Sequence, residues 1–254
     1  MRTKSAACFF VLSAALLLSM TGVASAGEAS AAVASNFTKP MREIAAGFER
    51  KTGHKVVLSF GSTGKLYAQI HNGAPFDLFL AADNQAPARL ESEGHGVAGS
   101  RFTYAIGRLV LWSARPGYVD QNGEVLQKGD FRHIAIANPK TAPYGAAARQ
   151  VLEKMGLWAG IRPHIVQGEN IAQTYQFIAS GNAELGFIAL SQIRDAGRAE
   201  GSRWDLPREL HDPIEQDVVL LQRGRDNPAA RELLAYLQSD EARAIIASYG
   251  YDLK

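Results

Sequence analysis

Cysteine is almost missing from this chain: the only one, Cys8, falls within the first 26 of 254 residues. A disulfide scaffold, a catalytic thiol and a cysteine-held metal are therefore excluded for everything that follows. Charge of one sign is missing too, with 27 basic residues against 25 acidic ones and a formal balance of +2. That balance, without a basic run interleaved with aromatics, is not a nucleic-acid footprint. The six histidines (54, 71, 95, 133, 164 and 211) contain no pair three to five residues apart, which argues against a histidine metal site. Gly61-Ser62-Thr63-Gly64-Lys65 invites comparison with a phosphate loop. Only Ser62 and Thr63 separate its glycines, however, and Leu66 follows the lysine, so nucleotide binding is not expected. No Gly-x-Ser-x-Gly elbow occurs, so an exported Ser-His-Asp hydrolase has only residue counting behind it. Asp77 and Asp83 bracket an apolar strand and read as a strand-start residue and a helix cap rather than as a catalytic pair. Nothing here marks an enzyme.

What is present begins with the leader. Arg2 and Lys4 form a basic start, Ala6–Met20 is nearly unbroken apolar, and Ala24-Ser25-Ala26 has the small-residue pattern of a signal-peptidase site. Residues 1–26 read as a secretory signal, which places the remainder in the periplasm. Cys8 precedes most of the apolar stretch, where a lipid-anchoring cysteine would not sit. Losing Arg2 and Lys4 leaves basic and acidic residues equal in number. No later apolar run reaches the roughly 18 residues of a membrane span.

Beyond the leader, short β-like runs alternate with helical patterns, which argues for α/β architecture with parallel sheets. Strands are expected at Ala29–Ala34, Val56–Phe60, Asp77–Ala82, Tyr104–Trp112, Ile134–Ala137, Ile165–Gln167, Leu185–Leu190 and Val218–Gln222. Phe37, Met41, Ile44, Ala45 and Phe48 recur at helical spacing, with Gly53 as the stop. Further helices are expected over Lys65–Asn72, from Tyr144 to Met155, along Ile171, Tyr175 and Ile178, and over Ala229–Gln238 and Glu241–Ser248. No internal repeat is visible.

At four places a strand ends in a short polar or Gly/Pro turn and a helix starts at once: Ser35-Asn36, Ser62-Thr63, Pro143-Tyr144 and Asn170-Ile171. Ligands of open parallel sheets bind at the carboxyl ends of the strands. Helix N-termini there offer unpaired N–H groups and partial positive charge, which suits an anion. Ser, Thr and Asn before a helix also serve as ordinary caps, so pattern alone leaves both roles open.

Several blocks then match a known family in order. Ala34-Ser35-Asn36-Phe37, Ser59-Phe60-Gly61-Ser62-Thr63-Gly64 and the run from Gly73 to Asp83 are followed by Asn138-Pro139, Pro143-Tyr144-Gly145, Gly168-Glu169-Asn170-Ile171, Gly186-Phe187-Ile188-Ala189 and Tyr249-Gly250-Tyr251. Over essentially the whole chain after the leader they resemble the periplasmic molybdate-binding proteins of ABC transporters. The resemblance implies a non-enzymatic, two-lobed periplasmic-binding-protein fold, each lobe a mainly parallel sheet flanked by helices, closing on molybdate or tungstate. It implies lobe 1 from residues 27–107 plus 213–254 and lobe 2 from 108–212, with crossings near Gly107 and Asp212. Ser35 would bind through hydroxyl and main chain with Asn36 beside it, Thr63 would supply a second hydroxyl, and Tyr144 and Ile171 would give main-chain donors. Some members place a tyrosine hydroxyl where this chain has Ala189, and Tyr144 is the candidate to replace it. The expected protein is a monomer without cofactor that delivers its anion to a membrane permease. Sulfate or phosphate is the alternative cargo.

Overall fold

The computed structural model describes residues 26–194 and 201–254. The expected leader thus lies almost wholly outside the described residues. In chain order the elements are β1 (Glu28–Ala34), α1 (Thr38–Thr52), β2 (Lys55–Gly61), α2 (Thr63–His71), β3 (Leu78–Leu80), α3 (Gln85–Ser92), β4 (Phe102–Gly107) and β5 (Leu109–Ser113). There follow α4 (Val125–Lys128), β6 (Ile134–Ala137), α5 (Pro143–Lys154), α6 (Trp158–Ile161), β7 (Ile165–Gly168), α7 (Ile171–Ala179) and β8 (Leu185–Ala189). The last are β9 (Ser202–Asp205), β10 (Ile214–Leu220), α8 (Pro228–Tyr236) and α9 (Asp240–Ser248). Among the described residues no helix is long and apolar enough to cross a membrane.

The strands form two five-stranded sheets, β2-β1-β3-β10-β4 and β7-β6-β8-β5-β9. Each is parallel over its first three strands and antiparallel over the rest. The two orders correspond strand for strand, a likeness between the halves that no sequence repeat announces. In each sheet the antiparallel partner of the parallel trio comes from the far side of a crossing: β10 returns to the first sheet, and β5 opens the second.

β1 shows why its residues are small and apolar throughout. Ala29, Ala31 and Val33 pack with Met41, Ile44 and Phe48 of α1 on one face, while Ala32 meets Leu66 and Ile70 of α2 on the other. A strand covered on both faces cannot alternate apolar with polar. The helix α1 ends where expected, at Gly53, whose φ of 78° is left-handed and whose N–H returns to Glu49 O. Asp77 and Asp83 lie at opposite ends of β3. Asp77 accepts from the Ser30 N–H at 2.7 Å and pairs with Arg223, and Asp83 Oδ1 accepts from the Ala86 N–H at 2.8 Å in the first turn of α3.

The expected single strand Tyr104–Trp112 is two strands in different sheets, β4 and β5, parted at Arg108. The apolar pattern runs through the break because both halves are core strands. Gly107 permits the passage, since a Cβ there would lie 2.2 Å from the Tyr144 hydroxyl and 2.8 Å from Gln216 Nε2. β10 begins earlier than expected, at Ile214, because Gln216 and Asp217 are buried and interrupt the apolar run that marks a strand in sequence. β9 was not expected at all. Its Ser-Arg-Trp-Asp has no alternation to read, and pairing with β5 makes it a strand.

Gly107→Ala should therefore destabilise the protein by about 1–3 kcal/mol through overpacking. That is a fall in melting temperature of roughly 3–10 °C. Adding Tyr144→Phe, which removes the clashing oxygen, should recover part of it in a thermal melt.

Candidate functional site

The parallel register levels the strand ends that carry the four turns. Ala34 is paired with Gly61, so Ser35 and Ser62 leave the first sheet side by side. Ala137 is paired with Gly168 in the second sheet, and the Asn138 N–H reaches Gly168 O at 2.8 Å, tying the two loops that enter α5 and α7. The sheets approach each other along these edges: the Gly64 N–H donates to Thr141 O at 2.9 Å. A side chain at Gly64 would meet the Thr141 main chain at 3.1 Å, so glycine is what allows this approach.

Between the edges lies a small cavity of about 10 Å³. It is lined by Ser35, Asn36, Thr63, Tyr144 and Ile171, all five of the residues singled out above, together with Ala34, Gly61, Ser62, Ala82, Ala142 and Pro143. Among the described residues no Lys, Arg, Asp or Glu lines it. Sites for organic ligands run to several hundred Å³, roughly 300–1,000; this space, about that of one water molecule, excludes them. A wider groove of about 440 Å³ lies alongside, bordered by Arg89 and Lys140 but also by Asp83, Asp212 and Glu215. Those carboxylates make it the poorer place for an anion.

The donors facing the cavity are main-chain and hydroxyl groups. Thr63, Tyr144 and Ile171 stand in the first turns of α2, α5 and α7, where N–H groups have no acceptor within the helix. Each helix N-terminus carries about half an elementary charge, so three together offset most of a dianion. The Asn170 side chain caps α7 by accepting from the Ala172 and Gln173 N–H groups, which leaves the Ile171 N–H free. Thr63 Oγ1 accepts from the Ala82 N–H at 2.9 Å and retains its own proton to donate. Ser62 Oγ is buried without a partner at the cavity wall. The sequence pointed to Thr63 and passed over this neighbouring hydroxyl, whose only signal was its place in the same turn.

Two side chains turn away. The Asn36 amide donates to Gln216 Oε1 at 2.7 Å and to the Tyr251 hydroxyl at 3.0 Å, so only its main chain faces the cavity. The Tyr144 hydroxyl lies against Gln216 Nε2 at 3.4 Å in the same buried network and does not replace the tyrosine lacking at Ala189. The Ala189 N–H is itself taken by Gln192 Oε1 at 2.9 Å. Burial holds the hydroxyls of Tyr104 and Tyr144 well above the ordinary tyrosine range. It pushes that of Tyr251 up to about 12. The wall around the cavity therefore stays neutral at any ordinary pH.

Lys65 and Glu169 are outside the lining. They form an ion pair with each other, both half-exposed, between the start of α2 on one sheet and the turn before α7 on the other. The carboxylate that would repel an anion is directed to a lysine instead.

Comparison with known proteins agrees with this geometry. The family model of bacterial extracellular solute-binding proteins matches residues 29–252. The molybdate-binding protein ModA of Azotobacter vinelandii is 58% identical over 232 residues, 91% of this chain and 92% of that protein. The chain belongs to the periplasmic molybdate-binding protein family. ModA of Rhodobacter capsulatus is 50% identical over 93% of both chains. The solved Azotobacter vinelandii periplasmic molybdate-binding protein superposes with a TM-score of 0.86 at 43% identity, covering 89% of this chain and 99% of that one. Members of this family thus share the two-sheet architecture seen here.

Thr63→Ala removes the acceptor of a buried N–H as well as a cavity hydroxyl, so it should cost about 1–3 kcal/mol of stability in the ligand-free protein. Ser35→Ala should leave the melting temperature nearly unchanged, because Ser35 Oγ has no partner to lose among the described residues. Equal melting temperatures for the two variants would contradict the placement of Thr63.

Proposed function

We propose that this protein is a periplasmic receptor that captures molybdate, and tungstate with it, for an ABC permease. The observation that carries the proposal is the small, uncharged cavity at the convergence of helix N-termini, ringed by donors without acceptors. Residues 27–107 with 213–254 act as one lobe and 108–212 as the other, and closure of the two encloses the anion. Ser35 binds through hydroxyl and main chain, Thr63 through its hydroxyl, and Asn36, Tyr144 and Ile171 through main-chain N–H groups. The permease is a transient partner that receives the anion when the lobes part.

Selectivity follows from what the cavity lacks. Molybdate, tungstate and sulfate are fully deprotonated near neutral pH and only accept hydrogen bonds. Hydrogen phosphate carries a proton, and with no carboxylate in the lining that donor would stay unpaired at a cost of about 1–3 kcal/mol. Sulfate is rejected by size, since its shorter bonds cannot reach every donor at once.

Four outcomes are expected. In competition calorimetry, molybdate and tungstate should rank first, sulfate well behind and phosphate at least about 10-fold weaker again than molybdate on the unpaired proton alone. Phosphate equal to molybdate would show that an acceptor lines the site. Ser35→Ala and Thr63→Ala should each weaken molybdate binding by about 10- to 150-fold, as expected for a hydrogen bond to a charged group. Lys65→Ala should cost less than about 5-fold, because an exposed ion pair contributes little. Affinity should also be flat between about pH 7 and 9, since the tyrosines of the wall hold their protons throughout; a fall across that range would mean a titrating ligand group.

A further inference from the structure

The fold brings together two histidines that the sequence keeps apart. His71 closes α2, and His95 lies in the turn after α3, with Glu93 between them just beyond the end of α3. One ligand atom from each of the three lies within 4.8 Å of the others. We propose that His71, Glu93 and His95 form a surface site for a divalent transition-metal cation of the zinc class, separate from the anion cavity.

The geometry is close to what such a cation needs. Zinc with imidazole and carboxylate ligands at about 2.0–2.2 Å in a tetrahedron sets its ligand atoms about 3.3–3.6 Å apart. His71 Nδ1 and Glu93 Oε2 are 3.3 Å apart in a hydrogen bond, a separation that a bridging cation would keep while taking the place of the proton. The His71 and His95 rings meet edge to face with centroids 5.1 Å apart. His71 is exposed and His95 half-exposed, so closing the remaining edges on a cation would take side-chain rotation, with a fourth position open to solvent.

The carboxylate is held as a metal ligand's would be. The Tyr67 hydroxyl donates to Glu93, 2.9 Å from Oε1 and 2.8 Å from Oε2, and Arg89 Nε donates to Oε1 at 2.8 Å. Oε2 is left facing His71. Partners of this kind orient a ligand and keep it ionised; the Tyr67 hydrogen bond holds the Glu93 carboxyl below its ordinary range. His95 is anchored through its main chain, its N–H on Leu90 O at 2.9 Å and its carbonyl accepting from the Gln222 N–H at 2.9 Å. Two nitrogens and one oxygen suit zinc, nickel or copper and are poor for magnesium or calcium.

The test is calorimetric titration of Zn²⁺ into protein isolated from the periplasm and stripped with EDTA, in the absence of any oxyanion. One Zn²⁺ per chain is expected. His71→Ala, His95→Ala and Glu93→Gln should each weaken it at least about 10-fold, and Tyr67→Phe by a smaller factor near that figure, the usual scale for loss of an outer partner. His164→Ala, a surface histidine elsewhere, should leave it unchanged. The melting temperature of each variant without metal checks that it is folded. No binding at millimolar Zn²⁺, or binding that survives all three ligand substitutions, would overturn the proposal. Because the readout is the heat of Zn²⁺ binding, the result stands whether or not molybdate binds.

Discussion

Gln216 is the polar centre on which the two sheets meet. Its side chain is fully buried; Oε1 accepts from Asn36 and from the Tyr104 hydroxyl, and Nε2 lies against the Tyr144 hydroxyl. The Tyr251 hydroxyl donates to Asn36 O at 2.9 Å, and Ser191 Oγ, from just beyond β8, donates to the same oxygen at 3.0 Å. The network thus joins β10 and the C-terminal segment to α5 and to the turn after β8. Every member is neutral. A half-satisfied network of this kind would cost more than an apolar core, and here Tyr144 and Ser191 find their partners only when both sheets are in place. The interrupted ladder between β10 and β4 at Gln216/Asp217 belongs to the same device, since a bulge re-aims the side chains beside it.

That network also decides the chemistry of the cavity. It takes up the Asn36 amide and the Tyr144 hydroxyl, so these two groups are held in the buried network beside the cavity. In the proposed binding mode the charge of a dianion is met by oriented N–H groups and helix termini, which need no counter-charge and no reorganisation. Among the described residues no lysine lines the cavity. Lys65, the nearest candidate, is instead spent on Glu169 at the rim.

One helix serves two ends of the first sheet's chemistry. The N-terminus of α2 lines the cavity with Thr63, while its last turn carries His71 to the side of Glu93 and His95. Its packing is fixed between them by Leu66 and Ile70, which sit against Ala32, Phe79 and Leu90. Position along this helix therefore separates two polar sites by an apolar middle.

The order of strands and helices was legible in the sequence because local periodicity reports backbone state. The small-residue run of β1, the Met41–Phe48 stripe of α1 and the four strand-to-helix turns could all be read directly. So could the absence of thiols, and of any excess of one charge once Arg2 and Lys4 are set aside. What stayed hidden was whatever depends on partners distant in the chain. The apolar run across Gly107 gave no sign that its halves enter different sheets. Gln216 and Asp217 looked like loop residues because the groups that satisfy them, Asn36, Tyr144 and Arg101, come from far away. The histidines looked scattered because spacing along a chain says nothing about α2 and α3 lying side by side. Composition and periodicity determined the class of fold; only the tertiary structure decided that the cavity wall carries no charge, which hydroxyls are consumed, and which distant side chains meet.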